Sequence, residues 1–435
     1  MTRNYKFKNI IFFTKVLQPI HYLSALIMVT LPLRNKYTSL ATILFVAFAI
    51  FFNKKNNNYT KIVYLPIAYF LLMVLSLLWS FDLSKSLFGV QKQLSMLFIP
   101  IAFFFIPMLN KKTIHGIIRI YSFGMVLFAL FFLLKACLRY LEINNTAIFF
   151  HDELVPEDPG AIYISVFASL AVFHFIQIQA KSNIDRICIF VLTLLIFLLS
   201  SKSIITIDFV IVVWYYAFFS KIPANTKTLT ILSVTVFLVL SLTYVKEFRQ
   251  RFLIEYETAF IDNTLNEKLT NQNQSYNVSI KEAWNQNAFQ QNSFFPGTAL
   301  RIHQLRVFSE MVQENPSLIF MGLGLEASQD FISDKANDHH LNPLYAKHNF
   351  HNQYIQTLAE LGIVGLIILI MMLFVNLKNA VKDKDFLHIT FAITMLMLFL
   401  SESFFCRQRG IVFFILLYCL FNSASNEELE EIKST

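Results

Sequence analysis

HNQYIQTLAELGIVGLIILIMMLFVNL, residues 351–377, decides the fold. After His351 and Asn352, the run carries a single charge, Glu360, and is long enough to cross about 30 Å of hydrocarbon as a helix. Asn352 reads as its N-cap. With the helix started there, Gly362 and Gly365 fall near the face of His351, at about 100° per residue. Glycines on that face let a neighbouring helix or a lipid chain come close. The run therefore sets a titratable side chain where a hydrophilic loop meets the membrane.

Working outward, the same pattern recurs. Apolar runs stand near 17–33, 38–53, 62–80, 91–109, 115–138, 160–179, 186–200, 203–220, 229–245, 353–377, 386–405 and 410–423. The chain is 56% hydrophobic and 15% charged, against about 25% charged for a soluble protein. The expected fold is an all-α polytopic membrane protein with about twelve transmembrane helices and one long outer loop between spans nine and ten. Residues 1–245 form an N-terminal block of about nine spans, 246–352 the loop, and 353–435 a block of about three spans with a short tail.

The net charge of +8 has its basic residues scattered through short loops, which fits membrane topology better than a nucleic-acid surface. With the N-terminus inside, the inner segments hold eighteen Lys and Arg and the short outer loops nine. Both termini are thus expected in the cytoplasm and the 246–352 loop outside. The polar, basic start Met1–Lys8 has no small-residue cleavage site after the first apolar run, so that run reads as a retained helix. The four cysteines stand singly, with no disulfide framework and no metal-type pair. No phosphate-binding glycine loop or nucleotide fold appears, and no cofactor is expected.

Within the loop, Asp262 to Asn292 is rich in Asn and Gln and reads as a flexible spacer. After Pro296-Gly297 a helical period begins. Thr298 is the expected N-cap, Leu305, Phe308 and Val312 form one face, and Asn315-Pro316 ends the run. An amphipathic helix near 299–315 is expected to lie on the membrane or the bundle. Arg306 and Glu310 make an i,i+4 pair on its polar face.

Arg301 falls in the first turn of that helix, where free backbone N–H groups and a guanidinium together suit a phosphate. The plain alternative is a solvated arginine. His351 suits the removal of a proton from a hydroxyl, since an imidazole titrates near neutrality; the plain alternative is an interfacial residue beside a cap. His348-Asn349 is a near-duplicate, but counting from it reaches Ala359 instead of a glycine. His339, His340, His348 and His351 suggest a metal site, though their spacing is irregular and no supporting carboxylate can be placed. Glu360 lies about two turns into span ten, where a charge needs a partner. Glu402, Arg407 and Arg409 crowd the last outer turn, and two arginines on that side suggest an anionic ligand. Lys85 and Lys92 near span four are weaker candidates beside interfacial snorkelling.

Three segments resemble the O-antigen ligase and polysaccharide polymerase superfamily, in one order. Arg301-Ile-His-Gln-Leu305 through Pro316 to Gly322-Leu-Gly324 looks like the family's Arg-led amphipathic helix followed by Gly-x-Gly. His351-Asn352, nine residues, and Gly362-Ile-Val-Gly365 is similar to its signature spacing. Ser401 to Gly410 looks like its last outer turn. Leu305 stands where the family often has tryptophan.

The resemblance implies a metal-independent glycosyltransferase of the bacterial inner membrane. Its donor would be a glycan on undecaprenyl diphosphate and its acceptor a lipid A-core or another glycan, with membrane lipids around it and no nucleic acid. It implies His351 as general base or positioner and Arg301 on the departing diphosphate. Asn352, Arg306, His348, Arg407, Arg409 and Lys92 would contact substrate, and Gly322, Gly324, Gly362, Gly365 and Glu360 would shape the site. Ligase and polymerase share these motifs. A transporter or flippase is the contrasting class, disfavoured by the unequal nine-and-three division of spans.

Overall fold

The computed structural model describes residues 17–52, 61–156, 160–266 and 275–423. The basic start Met1–Lys8, the inner-loop Lys54 and Lys55, and the tail with Lys433 lie outside the described residues. α1 (Pro19–Thr30) and α2 (Asn35–Phe52) form a hairpin, and α3 (Tyr64–Leu75) leads to α4 (Leu83–Lys92) and α5 (Ser95–Phe103). The long α6 (Lys111–Ile143) precedes α7 (Ala161–Gln177), α8 (Asn183–Leu199), α9 (Lys202–Trp214) and α10 (Ala224–Tyr244). A layer of shorter, more polar helices follows, built from α11 (Lys246–Phe260), α12 (Ile280–Asn285), α13 (Gly297–Glu314), α14 (Leu318–Met321) and α15 (Ser328–Asp338). The chain then returns through α16 (Gln353–Asp383), α17 (Phe386–Leu398) and α18 (Gln408–Asn422).

Each expected span overlaps a helix. Among the described residues, six units are long and apolar enough to cross a membrane: α2, α4 with α5, α6, α9 with its continuation to Phe219, α10 and α16. α1, the α3 segment, α7, α17 and α18 are apolar but shorter. The shortness has a structural counterpart. α18 is buried at every position from Arg409 to Asn422, and α7 from Tyr163 to Ile176. Helices apolar all round belong inside a bundle, and these two make its centre. Phe413 of α18 meets Phe167 of α7 at 5.0 Å, while Phe391, Phe399, Phe404 and Phe414 complete an aromatic stack. α10 is the opposite case, with most of its apolar surface facing outward, where lipid would cover it.

Among its described residues, the α11–α15 layer has two small cores of its own. One gathers Val278, Ala283, Phe289, Phe295 and Ala299. The other joins Val307, Met311, Leu323 and Phe350 to Ala359 of α16, which fastens the layer to the bundle. The expectation of a flexible spacer over Asp262–Asn292 is corrected for its described residues. Thr264–Leu265 (β1) pairs antiparallel with Tyr276–Asn277 (β2), which pairs parallel with Ser293–Phe294 (β3). The Asn-rich composition serves this: Asn266 donates to Asn277 at 2.9 Å, and Ser279 with Glu282 forms a capping box on α12. The residues 267–274 lie outside the described part.

The expected amphipathic helix is α13, with its start moved. Thr298 is not the N-cap; Pro296 holds that position, and no side chain of the helix itself caps it.

Candidate functional site

α16 is continuous in length but broken in conformation. Gly362 sits at φ 66° and ψ −168°, outside the helical region. The break leaves carbonyls of the preceding turn without helical partners, a state a buried backbone does not tolerate. The α11–α15 layer satisfies them: Leu323 N–H donates to Ala359 O at 2.9 Å and Gly324 N–H to Glu360 O at 3.0 Å. A third strand of chain lies alongside, where Phe81 N–H donates to Leu323 O and Trp79 Nε1 to Met321 O. Gly322 and Gly324 both have positive φ and touch other backbone closely. The sequence reading left room at Gly362 for a helix or a lipid chain; in the structure the Phe320–Met321 backbone of α14 fills that space. A Cβ on Gly365 would meet Leu361 of the same helix at 2.4 Å.

The crossing fixes the helix start, where the candidate residues stand. Asn352 caps α16 as expected, its Oδ1 accepting from Tyr354 N at 3.0 Å and Ile355 N at 3.1 Å. Its remaining groups reach the turn between α17 and α18: Asn352 N donates to Ser403 Oγ at 3.1 Å and Nδ2 to Leu400 O at 3.2 Å. Gln353 N donates to Phe399 O, and Gln353 Oε1 accepts from Phe405 N at 2.7 Å. Gln356 links Phe350 N, Ser403 Oγ, Ser328 Oγ and Glu360 Oε1 in one buried network. Glu360 is thereby paired, also accepting from Ser328 Oγ at 3.0 Å.

His351 itself stands in the left-handed region at φ 48°, which is uncommon for a side chain of its size and gathers at functional sites. Its Nδ1 lies 3.5 Å from Glu402 Oε2, and its Nε2 lies 3.3 Å from His348 Nδ1. Burial first, and then the neighbouring His351, lower the pKa of His348, with Glu402 opposing.

Arg301 reaches the same turn from the other side. Its Nε donates to Ser401 O at 2.8 Å and its Nη1 to Gly297 O at 3.0 Å. Burial lowers its pKa from the ordinary value, while Glu402 and Glu255 hold the charge. The helix N-terminus beside it is occupied. Glu255 of α11 accepts from Gly297 N at 2.9 Å and Thr298 N at 3.0 Å, and it also holds Lys202 of α9. Arg301 Nη1, Glu255 Oε1 and Lys202 Nζ lie 3.1, 3.1 and 3.8 Å from where a Gly297 Cβ would stand. A carboxylate and two cations thus meet at a helix start, an arrangement with the chemistry of an anion site. Burial raises the Glu255 pKa, but Lys202 and the Thr298 N–H outweigh it and hold the group below the usual range.

The other candidates divide. Arg407 is exposed and Arg409 buried on the same turn. Lys92 supports that turn from behind, donating to Cys406 O at 3.3 Å while paired to Glu326 at 2.5 Å. Arg306 is spent on structure: it holds Glu310 at 2.7 Å, Asn287 Oδ1 at 2.9 Å and Gln286 O. The four histidines do not converge. His339 pairs with His303 at 2.9 Å and Glu310 at 3.1 Å, away from the His348–His351 pair.

Sequence reasoning placed Glu402 on the right turn but gave it no role, and it gave none to Lys202, Glu255, Gln353 or Gln356. A lysine on the side that disfavours positive charge was the one signal for Lys202.

Residues 187–370 match the family model described as O-Antigen ligase. The match includes Lys202, Arg301, His351 and Gly362, and supports the O-antigen ligase superfamily for this chain. The apolar helices and this family together make it a multi-pass membrane protein. No curated protein matches the chain.

Proposed function

We propose that this chain is a membrane glycosyltransferase that moves a glycan from undecaprenyl diphosphate to a hydroxyl of a lipid A-core acceptor, on the outer face of the bacterial inner membrane. The observation that carries the reading is the convergence of His351 and Arg301 on one turn, with Lys202 beside Arg301. In this reading the chain crosses twelve times, both termini are cytoplasmic, and the α11–α15 layer faces the periplasm. The unequal distribution of Lys and Arg supports that orientation.

The acceptor oxygen attacks the anomeric carbon while the bond from that carbon to the diphosphate oxygen breaks. The acceptor proton passes to His351, and undecaprenyl diphosphate departs as an anion beside Arg301 and Lys202. Cations already in place stabilise charge that grows on the leaving group, usually the largest catalytic contribution. Holding two lipid-borne substrates against one turn supplies proximity as well. Arg407 borders the same turn and extends the positive surface, with the buried Arg409 behind it; Asn352 and His348 frame the acceptor side. Arg306 takes no part in substrate contact in this reading.

The test compares glycolipids and lipid-carrier intermediates in cells lacking the gene and in cells complemented with wild type or His351→Ala. Bare lipid A-core, with long glycan on the carrier, is expected for both the deletion and the variant. Core bearing a single repeat would assign polymerisation instead. An unchanged glycolipid profile on deletion, or full product from His351→Ala at normal abundance, would overturn the proposal.

A further inference from the structure

Glu402 is buried in the turn where His351 and Arg301 meet. Its Oε2 has no hydrogen-bond partner among the described residues and faces His351 Nδ1 at 3.5 Å. A buried carboxylate oxygen left without a donor is costly, and the nearest ring nitrogen is the one that could supply a proton to it. The separation is longer than a hydrogen bond, a spacing common in unliganded sites whose bonds tighten with substrate.

We propose that Glu402 is the positioning residue for His351, accepting from Nδ1–H so that Nε2 is left as the basic atom. The inference rests on the proposed role of His351. A neutral imidazole has one protonated and one basic nitrogen, and the acceptor on one of them decides which is which. His348 Nδ1 already lies against Nε2 at 3.3 Å. With Glu402 holding Nδ1–H, Nε2 keeps its lone pair; His348 Nδ1–H meets it in the structure, and an acceptor hydroxyl takes that place when it gives up its proton. Glu402 also stabilises the imidazolium that forms once the hydroxyl proton has moved.

The same carboxylate supports the charge of Arg301, so the base and the diphosphate-binding cation share one counter-ion. When the donor's diphosphate takes up Arg301, that demand on Glu402 relaxes and the carboxylate is left to His351. The groups that interact with Glu402 are His348 and His351 from the loop before α16, Arg301 from α13, Tyr163 from α7 and Cys406 from its own turn, with Arg407 and Arg409 bordering that turn. His351 and His348 are the two imidazoles among them, and burial lowers the pKa of His348.

The experiment measures transfer rate against pH in membranes carrying wild type, Glu402→Gln, Glu402→Asp or His351→Ala, with lipid-linked glycan as donor. Glu402→Gln is expected to lower kcat by about 10²-fold with little change in KM. Loss of the negative charge should also move the acid limb of the profile down by about one pH unit. Glu402→Asp should restore much of the rate and the position of the limb, which a merely structural role would not require. An unmoved limb in Glu402→Gln, or a loss seen in KM alone, would remove this inference while His351→Ala stayed inactive. Activity in His351→Ala would remove the functional reading beneath it. Should Glu402→Gln fall in abundance, the limb in Glu402→Asp decides: a limb at the wild-type position with much of the rate kept supports the shared proton, and a limb moved away from it counts against.

Discussion

Gly322 and Gly362 cross at a separation that excludes any side chain from either. A Cβ on Gly322 would stand 2.4 Å from the Glu360 carbonyl, and one on Gly362 would stand 2.2 Å from Phe320 O. Both residues have φ near +70°, at 70° and 66°. The contact joins the α11–α15 layer to the broken turn of α16, so the position of His351 depends on it.

Alanine at either glycine is therefore expected to destabilise the protein severely. The left-handed backbone alone costs of order 1–3 kcal/mol, and the overlap with backbone adds to it because neither neighbour can rotate away. Abundance in membranes and melting in detergent measure the effect. A Gly362→Ala protein that melts like wild type would show that the two segments do not meet this way.

Gln356 holds four partners at once: Phe350 N, Ser403 Oγ, Ser328 Oγ and Glu360 Oε1. Gln356→Leu keeps the volume but strands these groups in a buried place. A loss of about 2–4 kcal/mol is expected, from orphaned donors and the weakened hold on Glu360. Ser328→Ala, which removes one hydroxyl of the set, should cost less, about 1 kcal/mol. Equal melting of the two variants would argue against a connected network.

Arg301 and Arg306 lie on one helix and should fail in different ways. Arg306→Ala removes a cation that ties Glu310 to the 286–287 segment, and about 3 kcal/mol of stability should go with it. Arg301→Ala should leave abundance near normal and abolish transfer; Lys202→Ala should raise the donor KM. Arg301→Lys keeps the charge but loses the fork that reaches both Ser401 O and Gly297 O, so only partial rescue is expected. Loss of abundance in Arg301→Ala, with activity per molecule kept, would contradict the assignment.

His303 makes the layer sensitive to acid. Burial, then His339 and Arg306, push its pKa from the ordinary 6.5 down to about 3. The unfolded chain takes up this proton first as pH falls. Stability from neutral His303 is fully present above pH 6.5 and declines between 6.5 and 3, by about 1.4 kcal/mol per unit. Protection factors for hydrogen exchange across α13 should therefore fall between pH 7 and pH 5. Phe289 and Phe295 flank the ring at 5.6 and 5.2 Å, and His303→Phe should flatten the pH dependence. A slope that survives His303→Phe would place the sensitivity on His339 or elsewhere.

The sequence by itself determined the apolar helices, the cap at Asn352, the periodic helix α13 and the candidate pair Arg301 and His351. Each is a local matter: 3.6-residue periodicity, continuous hydrophobicity and capping are written in neighbouring residues. It misread the Asn-rich stretch because polar composition resembles disorder until side chains find partners across the fold, as Asn266 does with Asn277. The tertiary structure alone decided that Glu255 closes the start of α13, that Glu402 faces His351, and that the 318–324 segment fills the break at Gly362. These contacts join residues from different helices. Packing in three dimensions selects them, and no local repeat along the chain records which carboxylate will reach which cation.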